Sequence, residues 1–214
     1  MRRYLTELIG TFFLVFTIGL SVLCGTSIAP IAIGSALTVM VYMGGHVSGA
    51  HYNPAVTLAV LLRGRIEPKD VVPYWLAQVS GAFLASAAVY AVTGGKTFAP
   101  APAPGATAVA VLLVESLFTF ALALVVLNVA TARKTSGNSF YGLAIGFTVL
   151  AGAIAGGPIS GGAFNPAVAA GPILMDTVAG SGSLANLWYY VVGPIAGAAA
   201  AAAVFRMQEA GGDA

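Results

Sequence analysis

Charge is what this sequence has least of. Lysine, arginine, aspartate and glutamate make up only 7% of its 214 residues, where soluble domains carry about 25%. A soluble protein of this size cannot cover its surface with so few charges, which excludes an ordinary soluble enzyme or carrier. Cysteine is almost missing too. Cys24 stands alone, so there is no internal disulfide and no thiolate metal cluster. No basic run occurs and the formal net charge is only +2, so nothing favours a nucleic-acid partner. His46 and His51 have neither a cysteine nor a nearby carboxylate to complete a metal site. No nucleophile–base set is evident, so neither an enzyme nor a cofactor is expected.

What is present is hydrophobic: 58% of the residues, with a mean hydropathy of +0.92. Residues 8–62, 71–95, 97–114, 116–132, 135–175 and 177–205 hold no charged side chain. Crossing a bilayer core of roughly 30 Å takes about 20 apolar residues. The chain therefore reads as an all-α membrane protein with six spans, near 4–23, 31–45, 71–93, 106–130, 140–155 and 187–206. Arg2 and Arg3 ahead of an apolar stretch imitate a signal peptide, but 8–23 runs on without a clear cleavage site and reads as the first span. Residues 94–105, with Pro100, Pro102 and Pro104, are a loop, because alternating prolines forbid a helix. Polar turns are expected at 133–137 and 180–183, and a short polar tail after 206. In a six-span arrangement Arg2, Arg3, Arg63, Arg65, Lys69, Arg133, Lys134 and Arg206 share one side, and Lys96 alone takes the other. The positive-inside rule then makes both termini cytoplasmic. The brevity of the chain and its lack of sorting segments point to the cell membrane, plasma or inner.

Two segments do not fit as spans. Ser48-Gly49-Ala50-His51-Tyr52-Asn53-Pro54-Ala55-Val56 and Ser160-Gly161-Gly162-Ala163-Phe164-Asn165-Pro166-Ala167-Val168 each read as a helix start. Asn is a good N-cap and Pro suits the first helical position. The apolar runs that follow, 56–62 and 168–175, are too short to span. They are expected to be two re-entrant half-helices. The halves of the chain also resemble each other. Glu7…Thr11-Phe12 matches Glu115…Thr119-Phe120 at an offset of 108, the Asn-Pro-Ala copies lie 112 apart, and Tyr74…Gly81-Ala82 matches Tyr190…Gly197-Ala198 at 116. Three spans per half is an odd number, so the repeats, about 1–93 and 106–207 joined by loop 94–105 within one domain 1–214, are expected to be inverted. Inverted repeats with broken helices meeting at the midplane are a transport architecture. Each half-helix would aim an N-terminus worth about +0.5 charge at the centre and repel cations. Asn53 and Asn165 would each offer an N–H to a passing oxygen, with Pro54, Ala55, Pro166 and Ala167 around them. The plainer alternative is that the asparagines are helix caps and nothing more. Small residues four apart (Gly142/Gly146, Gly193/Gly197) read as helix contacts.

The paired Asn-Pro-Ala segments, the six spans and the repeated Glu-x-x-x-Thr-Phe resemble the aquaporins, or major intrinsic proteins, over essentially the whole chain. The resemblance implies a homotetramer in the lipid bilayer, a pore in every protomer, passive flow of water or small neutral solutes, and no cofactor. It implies that Glu7 and Glu115 accept hydrogen bonds from the loops carrying the half-helices. His51 is read as packing support for its loop and His46 as lining the cytoplasmic mouth. Family members usually carry Arg directly after the second Asn-Pro-Ala, within an outer constriction of four positions. Here Val168 stands there, as in some tonoplast-type channels, and counting from the motifs gives Ile33, Ala153 and Gly162 as the other three. The position of Ala153 takes the Gly156-Gly157-Pro158 stretch as ungapped. Glycerol-selective members typically have Asp after the Arg, where this chain has Ala169. Such a filter is wide and apolar, so poor discrimination is expected among water, glycerol, urea, hydrogen peroxide and ammonia. The alternatives are a water-selective channel narrowed elsewhere, a coupled secondary transporter using Glu7 or Glu115, an anion-conducting pore and a structural junction protein.

Overall fold

The computed structural model describes residues 1–180 and 182–210. Ser181, in the expected turn at 180–183, and 211–214, in the expected tail, lie outside the described residues. The described residues form eight α-helices and no strand: α1 (Arg2–Leu23), α2 (Ala29–Ser48), α3 (Pro54–Leu62), α4 (Pro68–Val92), α5 (Ala108–Thr131), α6 (Tyr141–Ser160), α7 (Pro166–Val178) and α8 (Leu187–Ala210). All but α3 and α7 are long and apolar enough to cross a membrane. In a medium that offers no hydrogen bonds the backbone must satisfy itself, and helices do this within one segment.

Several helices outrun the sequence reading. α2 and α6 continue through Gly44-Gly45 and Gly156-Gly157-Pro158 to Ser48 and Ser160. Two of these glycines, Gly44 and Gly156, are interior positions under close contact. A Cβ on Gly156 would crowd Val114 and Phe118, and one on Gly142 would press on the Tyr42 ring. α6 is unbroken from Tyr141 to Ser160. The short helices start at the prolines, and α7 has 13 residues against 9 in α3.

α1 packs on α2 and α4, α5 packs on α6 and α8, and α2 meets α6. Each short helix crosses to the other half of the chain, α3 against α8 and α7 against α4. The usual distribution of polarity is reversed. Leu76, Leu117 and Phe147 are exposed, while Glu7, Asn53, Gln78, Glu115 and Asn165 are buried. At one end of the bundle Arg3 pairs with Asp70 and Arg63 with Glu209. At the same end the Arg206 guanidinium donates to the Leu62 carbonyl and that of Arg65 to the Thr131 carbonyl. This is the basic end; Lys96 lies in the loop beyond α4, at the opposite end, which we call the outer end.

α1–α4 and α5–α8 approach backbone to backbone at glycines 116 residues apart: Gly81 lies on the Leu8 carbonyl and Gly197 on the Ser116 carbonyl, with no room for a Cβ at either. Gly197→Val is expected to cost roughly 1–3 kcal/mol through overpacking and to lower the unfolding midpoint of the detergent-solubilised protein. Gly157→Ala, where an added Cβ meets nothing within 4 Å, is expected not to lower it.

Candidate functional site

The two loops that open the short helices are built alike. Gly49 (φ 89) ends α2 and Gly161 (φ 91) ends α6, with N–H bonds back to the carbonyls of Gly45 and Gly157. Left-handed backbone at this position is what glycine supplies without steric penalty. Tyr52 (φ 48) and Phe164 (φ 49) adopt it without being glycine, at a cost of order 1–3 kcal/mol each, so their surroundings must hold them there.

Two buried carboxylates do so. Glu7 Oε1 accepts from Ser48 Oγ at 2.6 Å and from the His51 N–H at 3.0 Å, and Oε2 accepts from the Tyr52 N–H at 2.7 Å and from Gln78 Nε2 at 2.8 Å. Glu115 Oε1 accepts from Ser160 Oγ at 2.7 Å and from the Ala163 N–H at 3.1 Å, and Oε2 accepts from the Phe164 N–H at 2.7 Å. Both side chains are fully buried, a situation tolerable only with dense hydrogen bonding. Tyr74 and Tyr190 tie the helix ends, donating to the Ser48 and Ser160 carbonyls at 2.7 and 2.5 Å. The halves differ at Gln78, whose counterpart 116 residues on is Pro194, without a side-chain donor. With their N–H groups drawn to the carboxylates, both loops keep carbonyls in reserve. Those of Gly49, Ala50, His51, Gly161, Gly162 and Ala163 receive no donor among the described residues.

Asn53 and Asn165 cap α3 and α7, their Oδ1 atoms accepting from Ala55 and Val56 and from Ala167 and Val168. They are more than caps. Asn53 Nδ2 donates to the Phe164 carbonyl at 2.9 Å, and Asn165 Nδ2 donates to the Tyr52 carbonyl at 2.8 Å. The bonds are reciprocal and hold the two short helices tip to tip. An amide nitrogen carries two hydrogens, so each asparagine keeps one N–H that no described residue takes.

Two cavities lie near this contact, and the asparagines line one of them. The outer one, of about 400 Å³, is lined by Asn53, Asn165 and all four counted positions, Ile33, Ala153, Gly162 and Val168. Pro54, Ala55, Pro166 and Ala167 are buried behind the asparagines and line neither cavity. The second, of about 710 Å³, opens at the basic end and is lined by His46, Arg3, Arg65 and Arg133 among others. His51, Val126 and Ile145 line both. His51 does support its loop: its Nδ1 is 3.1 Å from Thr57 Oγ and its ring centroid 5.1 Å from that of Tyr74. Its place between the two cavities goes beyond the support role read from sequence. Thr57 Oγ gives its one proton to the Asn53 carbonyl at 3.0 Å. It therefore accepts from His51, which carries its proton on Nδ1 and leaves Nε2 as an acceptor.

Sequence reasoning missed several contributors. Val126 and Ile145 carry no motif, although Ile145 lies 112 residues after Ile33, the offset of the two Asn-Pro-Ala copies. The matching Tyr74 and Tyr190 were visible as a repeat without a role. The loop after α4 is not a bare connector. Phe98, Ala99, Pro100 and Ala101 line the outer cavity, Thr97 Oγ donates to Asp176 Oδ1 at 2.6 Å, and the Ala103 N–H donates to the Ile159 carbonyl at 3.0 Å. Among the described residues no group of three His, Cys, Asp or Glu could hold a metal.

Six apolar crossing-length helices around two short ones define an integral, multi-pass membrane protein. The chain belongs to the major intrinsic protein family, whose model it matches over residues 1–205. It is 39% identical over 216 residues to Aquaporin NIP1-1 of Zea mays, covering 97% of this chain and 74% of that protein. It is 38% identical over 219 residues to Glycerol uptake facilitator protein-like 6 of Lactiplantibacillus plantarum, covering 97% and 98%. The X-ray structure of the aquaglyceroporin from Plasmodium falciparum has the same fold, with a TM-score of 0.86 at 22% identity, covering 95% of this chain and 94% of that one.

Removing a carboxylate strands every donor it serves, at about 1–3 kcal/mol for each buried group left unpaired. Glu7→Ala strands four donors and Glu115→Ala three. Both variants are expected to unfold earlier than the parent in a thermal scan in detergent, Glu7→Ala earliest.

Proposed function

We propose that the chain is a passive channel for water and small neutral solutes, with its path running through the two cavities. The observation that carries this reading is the reciprocal asparagine pair, lining the outer cavity with one free N–H on each amide. A solute oxygen accepting from both would point its own hydrogens away along the path. Donors at the centre and unclaimed loop carbonyls on either side give a neutral polar molecule partners in sequence without a charge to trap it. The two helix N-termini oppose cations there. Glu7 and Glu115 act as structural anchors in this account, since both are committed to loop donors and neither is free to carry a coupled proton. In the proposed arrangement the halves, about 1–93 and 106–207, are inverted repeats joined by the loop 94–105, both termini face the cytoplasm across the cell membrane, and four protomers assemble with a pore in each.

The outer filter in this reading is Ile33, Ala153, Gly162 and Val168, wide and apolar, admitting glycerol, urea, hydrogen peroxide or ammonia as well as water. His46 lines the cytoplasmic mouth. One observation favours a water-selective channel instead. His51, Val126 and Ile145 are shared by both cavities, and in that reading they are the neck, away from the outer filter.

Stopped-flow light scattering on proteoliposomes separates the two readings. Water, glycerol and urea are all expected to move well above protein-free vesicles. Fast water with slow solutes would transfer selectivity to the neck. Val168→Arg is expected to cut glycerol and urea flux by about tenfold or more, as a fixed cation and a long side chain enter an apolar ring. Unchanged water and urea permeability in that variant would remove Val168 from the filter.

A further inference from the structure

We propose that the cavity at the basic end is a phosphate-binding site, taking inorganic phosphate or the phosphate headgroup of an anionic lipid, and that the bound anion obstructs the path. The site stands on its own residues; the obstruction rests on the channel reading.

Membrane insertion accounts for basic residues at this end as a group, but not for how they are paired. Arg63 holds Glu209 and Lys69 holds Glu67, both at 2.6 Å, and the Arg206 guanidinium donates to the Leu62 carbonyl. None of these three lines the cavity. The arginines that do line it, Arg3, Arg65 and Arg133, are the poorly matched ones. Arg65 donates to the Thr131 carbonyl at 3.5 Å, and neither it nor Arg133 forms an ion pair among the described residues. Arg3 lies 3.8 Å from Asp70 Oδ2, and the other oxygen of that carboxylate accepts from the Tyr4 hydroxyl at 2.6 Å. Among the described residues no aspartate or glutamate lines the cavity.

The fold gathers the three arginines from separate stretches. Arg3 is in the first turn of α1, Arg65 lies between α3 and α4, and Arg133 opens the single turn after α5. The Thr131 carbonyl that meets Arg65 is two residues before Arg133. The turn carrying Arg133 is pinned to the end of α5. Thr135 Oγ donates to the Asn128 carbonyl at 2.5 Å, and Asn138 Nδ2 donates to the Val129 carbonyl at 2.7 Å. A rim fixed in advance lowers the ordering cost of binding. All three arginines are exposed, so an anion reaches them from water.

Three cations around one mouth repel one another and focus a positive potential into it. An oxyanion relieves that repulsion, and the planar guanidinium fork matches phosphate oxygens two at a time. Chloride carries charge without the oxygens for such paired bonds, so phosphate is favoured at equal ionic strength. Exposure and salt screening place the affinity in the millimolar range. The cavity measures about 710 Å³, within the range of small-molecule sites, about 300–1,000 Å³. An anion seated there occupies the mouth through which a solute would pass.

Two measurements on the intact chain test the proposal. Equilibrium dialysis of the detergent-solubilised protein against radiolabelled phosphate, at constant ionic strength, reads binding. Urea uptake into phosphatidylcholine proteoliposomes reads obstruction, with millimolar phosphate or matched chloride on both faces. A third set of vesicles contains phosphatidylglycerol and no free phosphate. Saturable phosphate binding is expected, with protein-dependent urea permeability at least about twofold lower than in chloride. The paired variant Arg65→Gln with Arg133→Gln is expected to weaken binding about tenfold or more and to abolish the drop. Each single variant, weaker by about threefold, serves should the paired one not fold. Lys69→Gln removes one charge at the same end but outside the cavity, and is expected to keep both binding and drop. A drop with phosphatidylglycerol alone would support the lipid headgroup as the source, and a drop with free phosphate the ion. Neither binding nor a drop with either source would overturn the proposal. Binding that survives in the paired variant, or is lost equally in Lys69→Gln, would overturn its assignment to this cavity. Binding with urea flux unmoved would overturn the obstruction and leave the site. No protein-dependent urea flux in any vesicle would overturn the channel reading, while dialysis still decides the site.

Discussion

A buried carboxylate held by backbone N–H groups is the constraint on which the rest of this molecule depends. Glu7 and Glu115 lie in long apolar helices, each fully buried, and neither is opposed by a basic side chain in the bonds it makes. Their charge is met by the loops ahead of α3 and α7. Those bonds hold Tyr52 and Phe164 in left-handed backbone, and that turn brings the Tyr52 and Phe164 carbonyls to the opposite asparagines. Without the carboxylates the strained residues would relax and the reciprocal bonds would lose their geometry. The same bonds consume the loop N–H groups and leave the carbonyls unclaimed. One interaction thus sets backbone conformation, asparagine position and the polarity offered to a solute.

The long helices were legible from composition and charge spacing alone, because a lipid-facing chain must write its spans as uncharged runs. The half-helices were legible because Asn-Pro carries a capping signal that is local in sequence, and Asn53 and Asn165 do cap α3 and α7. The glycine-rich ends of α2 and α6 misled as breaks. Glycine pairs read the same whether they end a helix or let one pack tightly, and only the neighbour decides. Glu7 and Glu115 stood out as duplicated acids in apolar runs, but their partners are mostly backbone atoms, which have no letter in the sequence. The place of Val126 and Ile145 in the lining of both cavities was invisible for a related reason. Valine and isoleucine facing a cavity look the same as valine and isoleucine facing lipid. The loop at 97–104 showed its prolines but not that it folds onto the outer cavity, a fact of long-range contacts between Thr97 and Asp176 and between Ala103 and Ile159.

The two ends of the proposed path differ more than the likeness of the halves would suggest. The basic end has Arg3, Arg65 and Arg133 around its cavity, and the first loop carries the network of His51, Thr57 and Gln78. At the equivalent places the second half has Ala163, Ala169 and Pro194. Polarity is concentrated toward one mouth and removed from the other. In the passive reading proposed above, the path is graded and not uniform. The solute meets apolar wall, then amide donors, then a polar and cationic mouth.

The measurement that tests this account most directly is uptake of radiolabelled urea into proteoliposomes with and without imposed proton and sodium gradients. A passive channel predicts protein-dependent uptake that is fast, ends at equal concentrations inside and out, and is unchanged by either gradient. Accumulation above the outside concentration under either gradient would contradict it and make the buried carboxylates part of a coupled transporter.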